Sequence, residues 1–218
     1  MNSHTTISTK KITMLGMFTA MAVVFCLLVR IPLVPSVSFL SYDPKDIIIG
    51  IAGFLYGPMS AFIVSMLSSA IELILRGGNI IDWFMNVIST CSFICTAAFV
   101  YKKVRSKNGA FYGLMAGMAL NIIAMIAWNY VMDPIYFGMP QQAVNAMLPA
   151  IALFNFLKDA INTVLLLLVY KPVSNALHQA GLIERREEVA PSNKKSAAVL
   201  GICILLTAIV VALVFINA

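Results

Sequence analysis

The sequence predicts an all-α integral membrane protein: a six-helix transmembrane bundle with an additional C-terminal transmembrane helix. Of its 218 residues, 61% are hydrophobic and only 11% are charged, and the mean hydropathy is +0.91. Soluble domains carry about 25% charged residues. The apolar residues also fall in runs close to the roughly twenty residues that a helix needs to cross a bilayer. We therefore expect one helical bundle.

Small residues mark the first predicted span, which follows a polar tail of residues 1–11. Gly16 and Ala20 lie four residues apart, with Ala22 nearby. This spacing gives a smooth helix face that a second helix can approach closely. Because the pattern is common in membrane helices, it is weak evidence for a partner when taken alone.

A proline-rich segment, residues 30–45, separates the first two spans. Proline restricts its own backbone and that of the preceding residue, so the segment is predicted to be an ordered, non-helical loop. The loop also carries apolar and aromatic side chains, namely Phe39, Leu40 and Tyr42. We expect it to fold back over the bundle as a lid.

The later spans follow from the remaining apolar runs. They are predicted over residues 46–56, 59–75, 80–100, 110–131 and 147–170, with an aromatic loop at 132–146. Together with the first span they form a predicted membrane domain of residues 12–175. A charged linker, 176–195, and a further transmembrane segment, 196–217, complete the chain.

The basic residues predict the orientation. An N-terminus in the cytoplasm leaves only Arg30, Lys45 and Arg76 on the outer side, which agrees with the excess of Lys and Arg in cytoplasmic loops. Topology therefore explains the net charge of +6 better than nucleic-acid binding does. The loop at 30–45 and the aromatic loop then both lie outside.

A polar face lies within the sixth predicted span. Asn155, Lys158 and Asn162 are spaced three and four residues apart, which places them on one side of a helix. A charge at the depth of Lys158 costs about 2.5 kcal/mol or more, so it normally faces the bundle interior. Asp159 is a candidate counter-ion for Lys158 or for a group on a neighbouring helix. The face either bonds adjacent helices together or binds a polar ligand, and intramembrane charges favour the ligand.

Further polar residues lie near the predicted outer ends of other spans. Asp82 and Asn86 begin the fourth span, and Asn129 lies late in the fifth. Amide and ammonium groups suit a planar heterocycle or a polar small molecule better than a metal ion. The side chains that would stack on a ring, or else form an interfacial aromatic belt, are Phe39, Tyr42, Trp128, Tyr130 and Tyr136.

Catalysis finds little support in the sequence. His4 and His178 lie in predicted polar segments, and neither an HExxH motif nor a nucleotide-binding GxxxxGK[ST] motif is present. The four cysteines are predicted to be small buried hydrophobes: Cys26, Cys91, Cys95 and Cys203. A proton-coupled carrier with Glu72 and Asp159 as proton sites remains an alternative, as does a purely structural protein.

Four short motifs resemble one known family. They are Y-D-P-K-D at Tyr42–Asp46 with the following glycine-rich span and Gly57-Pro58, M-N-V-I-S-T at Met85–Thr90, N-Y-x-x-x-x-P-x-Y at Asn129–Tyr136, and F-N-F-L-K at Phe154–Lys158. In order and placement they are similar to the substrate-binding (S) components of energy-coupling factor (ECF) vitamin transporters, most closely the riboflavin-specific branch. The resemblance covers about residues 12–175.

The resemblance implies a multi-pass protein of a bacterial cell membrane that captures riboflavin from outside. A transmembrane coupling subunit and two ATPases would then drive its delivery inward, with riboflavin as transported ligand and no cofactor or metal. The ligand-binding residues it implies are Asn86, Asn129, Asn155 and Lys158, then Asp82 and Tyr42, with Leu40 and Tyr136 beside them. Gly16 and Ala20 would dock the coupling subunit. An S component for another vitamin is the nearest alternative.

Overall fold

The computed structural model describes residues 9–104 and 107–182, and in these ranges the chain forms six helices. They are α1 Thr9–Leu28, α2 Lys45–Tyr56, α3 Pro58–Arg76, α4 Ile80–Val104, α5 Lys107–Phe137 and α6 Gln141–Gln179. All but α2 are long and apolar enough to cross a membrane. The prediction of an all-α membrane protein is confirmed, and the segment at 196–217 lies outside the described residues.

The loop between α1 and α2 is ordered and covers one end of the bundle, as predicted. Its two ends are tied together by paired backbone hydrogen bonds between Ile31 and Tyr42, of 3.0 and 2.8 Å. A single 3₁₀ turn, Pro35–Val37, lies between them. Apolar loop residues, including Leu40, pack in one cluster with Phe154 of α6. We call this end of the bundle the loop end.

Helix α2 is short and almost completely buried. Its twelve residues extend about 18 Å, against about 28 Å for the nineteen residues of α3. The two helices meet at Gly57, whose φ of 93° suits glycine, so α2 begins well below the loop end of α3. The assignment of Lys45 to an outer loop is therefore wrong. Lys45 is the first residue of α2 and is 1% exposed.

Helices α4 and α5 approach closely at a π-helical turn, Cys91–Cys95, inside α4. A Cβ atom on Gly117 of α5 would overlap the carbonyl oxygen of Phe93 in that turn. The glycine therefore allows the two backbones to touch.

The predicted loop at 132–146 is mostly helical. Helix α5 continues through Pro134 to Phe137, and only residues 138–140 separate it from α6. Pro134 has no N–H to donate to Tyr130, and the carbonyl of Tyr130 instead accepts a hydrogen bond from Gln141 Nε2 at 3.3 Å. Helix α6 also continues past its predicted end to Gln179, so the linker begins as helix, and its residues 183–195 lie outside the described part.

Candidate functional site

Two adjoining cavities lie at the loop end of the bundle. The inner cavity has a volume of about 80 Å³ and the outer cavity about 310 Å³. Both are bordered by Arg30, Phe39, Glu72, Arg76, Met85 and Asn86. Pockets for small molecules usually enclose about 300–1,000 Å³, so the two cavities together reach that size.

The cavities bring together most of the predicted site residues. Those that border the inner cavity are Leu40, Asn86, Asn129, Asn155 and Lys158, from the loop and three helices. Asp82 and Tyr136 border the outer cavity together with Asn86. The predicted polar face of α6 is buried, since Asn155, Lys158 and Asn162 are 4%, 7% and 0% exposed.

Tyr42 is the predicted site residue that borders neither cavity. Its hydroxyl donates a hydrogen bond to Asn162 Oδ1 at 3.2 Å, in the interior beside α6. Burial raises the pKa of Tyr42 to about 12, so the phenol keeps its proton and remains a donor. Tyr42 therefore anchors the end of the loop to α6.

The three asparagines at the inner cavity share one geometry. Each side-chain amide nitrogen donates to the backbone carbonyl four residues earlier on its own helix. The donor–acceptor distances are 3.0 Å for Asn86, 2.7 Å for Asn129 and 2.8 Å for Asn155. This anchoring leaves each Oδ1 atom as an acceptor for another group. Asn129 Oδ1 is buried and has no hydrogen-bond partner.

Lys158 is held by a different carboxylate from the one adjacent to it in sequence. Its Nζ lies 3.1 Å from Asp46 Oδ2 of α2 and donates to Ser89 Oγ at 3.3 Å. Asp159 instead accepts a hydrogen bond from Asn121 Nδ2 of α5 at 2.8 Å. The counter-ion of Lys158 is thus Asp46. Asp159 contacts a neighbouring helix, as the second expectation for it had it, but its partner there is the neutral amide of Asn121 and not a cation.

A second buried cation, Lys45, was missed by the sequence reasoning. Its Nζ donates to Glu72 Oε2 at 2.7 Å and to Asn86 Oδ1 at 2.9 Å, and lies 3.7 Å from Asp43 Oδ2. Arg76 extends the network, with its Nε 3.6 Å from Glu72 Oε1. The only signal of this charge network in the sequence was that two charged residues, Lys45 and Glu72, lie in or beside apolar runs.

Aromatic side chains border the outer part of the site. Phe39, Trp128 and Tyr136 border the outer cavity, whereas Tyr42 and Tyr130 do not. Phe39 borders both cavities and so lies at their junction. The hydroxyl of Tyr136 donates to Asp82 Oδ2 at 3.1 Å, and the same oxygen accepts from the backbone N–H of Asn79 at the start of α4. Asp82 therefore has a structural role in capping α4.

The ligand atoms of Cys26, Asp43 and Glu72 lie within 4.8 Å of one another, a spacing that suits a metal ion. However, Lys45 contacts both carboxylates, and Arg76 contacts the carbonyl and the thiol of Cys26. These two cations already supply the positive charge that the carboxylates require. As predicted, Cys26, Cys91 and Cys95 are buried, and Cys203 lies outside the described residues.

The small residues of α1 occupy two different faces. Gly16 and Ala20 are exposed, and a Cβ atom on Gly16 would have no neighbour within 4 Å. Ala22 is fully buried in the main apolar core, so it does not belong to the same surface.

Comparisons with known proteins agree on one family. The family model of the ECF transporter substrate-specific component matches residues 10–174. The riboflavin transporter RibU of Staphylococcus aureus is 27% identical over 77% of this chain and 92% of its own length. The riboflavin transporter FmnP of Bacillus subtilis is 28% identical over 74% of this chain and 90% of its own. A solved S component of a bacterial ECF transporter covers 77% of this chain and 97% of its own, with a TM-score of 0.66 and 26% identity.

Proposed function

This chain belongs to the family of ECF transporter substrate-specific components, and we propose that the ligand it binds is riboflavin. Membership makes it the substrate-binding component of a membrane importer and not an enzyme. The named riboflavin transporters among its relatives support riboflavin as the ligand. The chemistry of the inner cavity supports the same choice.

The observation that carries this proposal is the buried, unpartnered Oδ1 atom of Asn129 at the inner cavity. Several buried side-chain atoms of the described residues lack a partner, and Asn129 is the one such residue that borders the inner cavity. A ligand that supplies a donor there would satisfy this acceptor. The polar edge of the isoalloxazine ring alternates carbonyl acceptors with one N–H donor. We propose that this N–H bonds an asparagine Oδ1 atom while the Lys158 ammonium group donates to a ring carbonyl.

The cavity volumes indicate how the ring would enter. The inner cavity of about 80 Å³ is far smaller than the roughly 300 Å³ or more of a typical ligand pocket. The polar edge would therefore occupy the inner cavity while the rest of the ligand extends into the outer cavity. Phe39 stands at the junction of the two, so its side chain would have to move to admit the ring. The ribityl hydroxyls would then lie near Glu72, Arg76 and Asp82, which offer charged acceptors and donors.

Membership of the family supports a proposal for the transport partners. We propose that the chain works with a transmembrane coupling subunit and two ATPases, and that the exposed face of α1 around Gly16 and Ala20 docks the coupling subunit. We also propose that the N-terminus is cytoplasmic, as the basic residues predict, so that the loop end faces outward. Riboflavin would then enter from outside the cell.

The test is a spectrum of the full chain purified in mild detergent. We expect flavin absorption bands, or quenching of the fluorescence of added riboflavin that denaturation reverses. Lys158→Met should weaken the binding by about tenfold or more. Lys171→Met is the matched control, because Lys171 lies on the same helix but is exposed and borders neither cavity. A colourless wild-type protein that leaves riboflavin fluorescence unchanged contradicts the assignment.

A further inference from the structure

Two consecutive residues at the start of α2 hold side chains of the ligand site without bordering it. Lys45 and Asp46 are 1% and 0% exposed, and neither borders the inner or the outer cavity. Successive residues of a helix point about 100° apart, so the two side chains reach different neighbours. One contacts Asn86 and the other contacts Lys158.

Lys45 fixes the amide group of Asn86. Its Nζ donates to Asn86 Oδ1 at 2.9 Å, while Asn86 Nδ2 donates to the carbonyl of Asp82 at 3.0 Å. An amide bonded at both its oxygen and its nitrogen cannot flip. Glu72, 2.7 Å from the same Nζ, keeps the ammonium group in place. The orientation that Asn86 presents to the cavities is therefore set by a residue outside them.

Asp46 fixes the ammonium group of Lys158 in the same way. Its Oδ2 lies 3.1 Å from Lys158 Nζ, and its Oδ1 accepts a hydrogen bond from Thr90 Oγ1 at 2.7 Å. A long lysine side chain has many rotamers, and confining it before the ligand arrives lowers the entropic cost of binding. Asp46 also supplies the negative charge that makes a buried lysine tolerable.

We propose that Lys45 and Asp46 are positioning residues of the ligand site, which orient Asn86 and Lys158 respectively. This inference rests on the proposed riboflavin site. Lys45 directly follows Pro44, the last residue of the loop over the cavities, and Asp46 comes next. Tyr42 anchors that loop to α6 through Asn162. The position of the loop and the orientation of the Asn86 and Lys158 side chains are therefore set together.

The test is a set of double-mutant cycles on the riboflavin dissociation constant, measured by fluorescence quenching of the full chain in detergent. The matched pairs are Lys45→Met with Asn86→Leu, and Asp46→Asn with Lys158→Met. The crossed pair is Lys45→Met with Lys158→Met. Each single variant should weaken binding by about tenfold or more, because an ordered polar contact is lost. When two side chains are in direct contact, the effects of replacing them on the binding free energy are coupled, whereas the effects of replacing independent side chains add.

We expect each positioning variant to lose most of its effect once its partner has been replaced. Lys45→Met should change affinity much less in the Asn86→Leu background than in the wild type, and the remaining effect would act through Glu72, which also contacts Lys45 and borders both cavities. The crossed pair should weaken binding by nearly the product of the two single effects. A purely structural role would lower the unfolding temperature but would not produce this difference between matched and crossed pairs. The proposal is overturned if the two replacements of a matched pair have additive effects on the binding free energy. It is also overturned if both single positioning variants bind riboflavin with wild-type affinity.

Milder variants cover the case in which a single replacement fails to fold. Thr90→Val removes one hydrogen bond to Asp46, and we expect it to weaken binding about threefold in the wild type and not at all in Lys158→Met. Lys45→Arg keeps the charge but displaces the donor from Asn86, and its effect should vanish in Asn86→Leu. Unchanged affinity in these two variants overturns the proposal. A wild-type protein that does not bind riboflavin at all overturns the proposed function instead.

Discussion

Replacing Asn129 by leucine should separate ligand binding from stability. The two side chains have the same shape, but leucine lacks the Oδ1 acceptor, which is buried without a partner in this structure. If the ligand supplies the missing donor, its loss should cost about 1–3 kcal/mol of binding free energy. Since about 1.4 kcal/mol is tenfold, the riboflavin dissociation constant should rise roughly 5- to 150-fold.

The stability of the empty protein should change little or increase. The variant loses the hydrogen bond from Asn129 Nδ2 to the Met125 carbonyl, 2.7 Å long and worth about 0.5–1.5 kcal/mol. It also loses a buried unsatisfied oxygen, which costs about 1–3 kcal/mol in the wild type. These two terms have opposite signs, so the unfolding temperature without ligand should stay the same or rise.

Fluorescence titration with riboflavin and thermal unfolding of the empty protein measure the two effects. Asn121→Leu is the matched control, because Asn121 lies on the same helix but donates to Asp159 and borders neither cavity. Asn121 Oδ1 is also buried without a partner, but replacing Asn121 takes the donor away from the buried carboxylate of Asp159, and losing a hydrogen bond to a charged group costs more. Asn121→Leu should therefore lower the unfolding temperature and leave riboflavin affinity unchanged. The reasoning is refuted if Asn129→Leu lowers the unfolding temperature without ligand and leaves the affinity at its wild-type value.

Three further predictions concern the cavity junction and the helix surfaces. Phe39→Ala should raise the rates of riboflavin association and dissociation in stopped-flow fluorescence, because it removes the side chain between the cavities; unchanged rates would argue against a barrier there. Gly16→Leu should keep riboflavin affinity but reduce co-purification with the coupling subunit. Ala22→Leu should instead destabilise the protein by about 1–3 kcal/mol through overpacking. If the two variants had the same effects on co-purification and on stability, the assignment of separate faces would be contradicted. Gly117→Ala should reduce the yield of folded protein, because the added Cβ atom would overlap the Phe93 carbonyl. A normal unfolding temperature for this variant would show that α4 and α5 do not touch there.

The sequence predicted the parts of the fold that depend on short stretches of chain. Apolar runs located the helices, and the cost of an intramembrane charge identified the buried face with Lys158 at its centre. The clustered prolines correctly predicted an ordered loop between α1 and α2. The aromatic loop predicted at 132–146 was mostly wrong, because α5 continues through Pro134 and the carbonyl of Tyr130 accepts its hydrogen bond from Gln141 of the next helix.

The charge pairing of the site was not predictable from local sequence. Asp159 was a natural candidate because it is adjacent to Lys158, yet the partner is Asp46, more than a hundred residues away. Lys45 was likewise assigned to a loop by its neighbouring prolines, whereas its partner Glu72 lies on another helix. Such pairs depend on how helices pack, which a single sequence does not display. The placement of the N-terminus in the cytoplasm stays a prediction.

The short, charged start of α2 has a consequence for how the chain enters the membrane during synthesis. A helix of twelve residues is shorter than the roughly twenty needed to span the bilayer, and Lys45 and Asp46 would each cost about 2.5–3.5 kcal/mol during insertion. We therefore expect α2 not to insert by itself. It would enter as a hairpin with α3 and settle only after α6, which carries Lys158, has been made. A large share of the chain must then be synthesised before this region can reach its final position, and nascent chains that end before Lys158 should expose α2 to quality-control proteases.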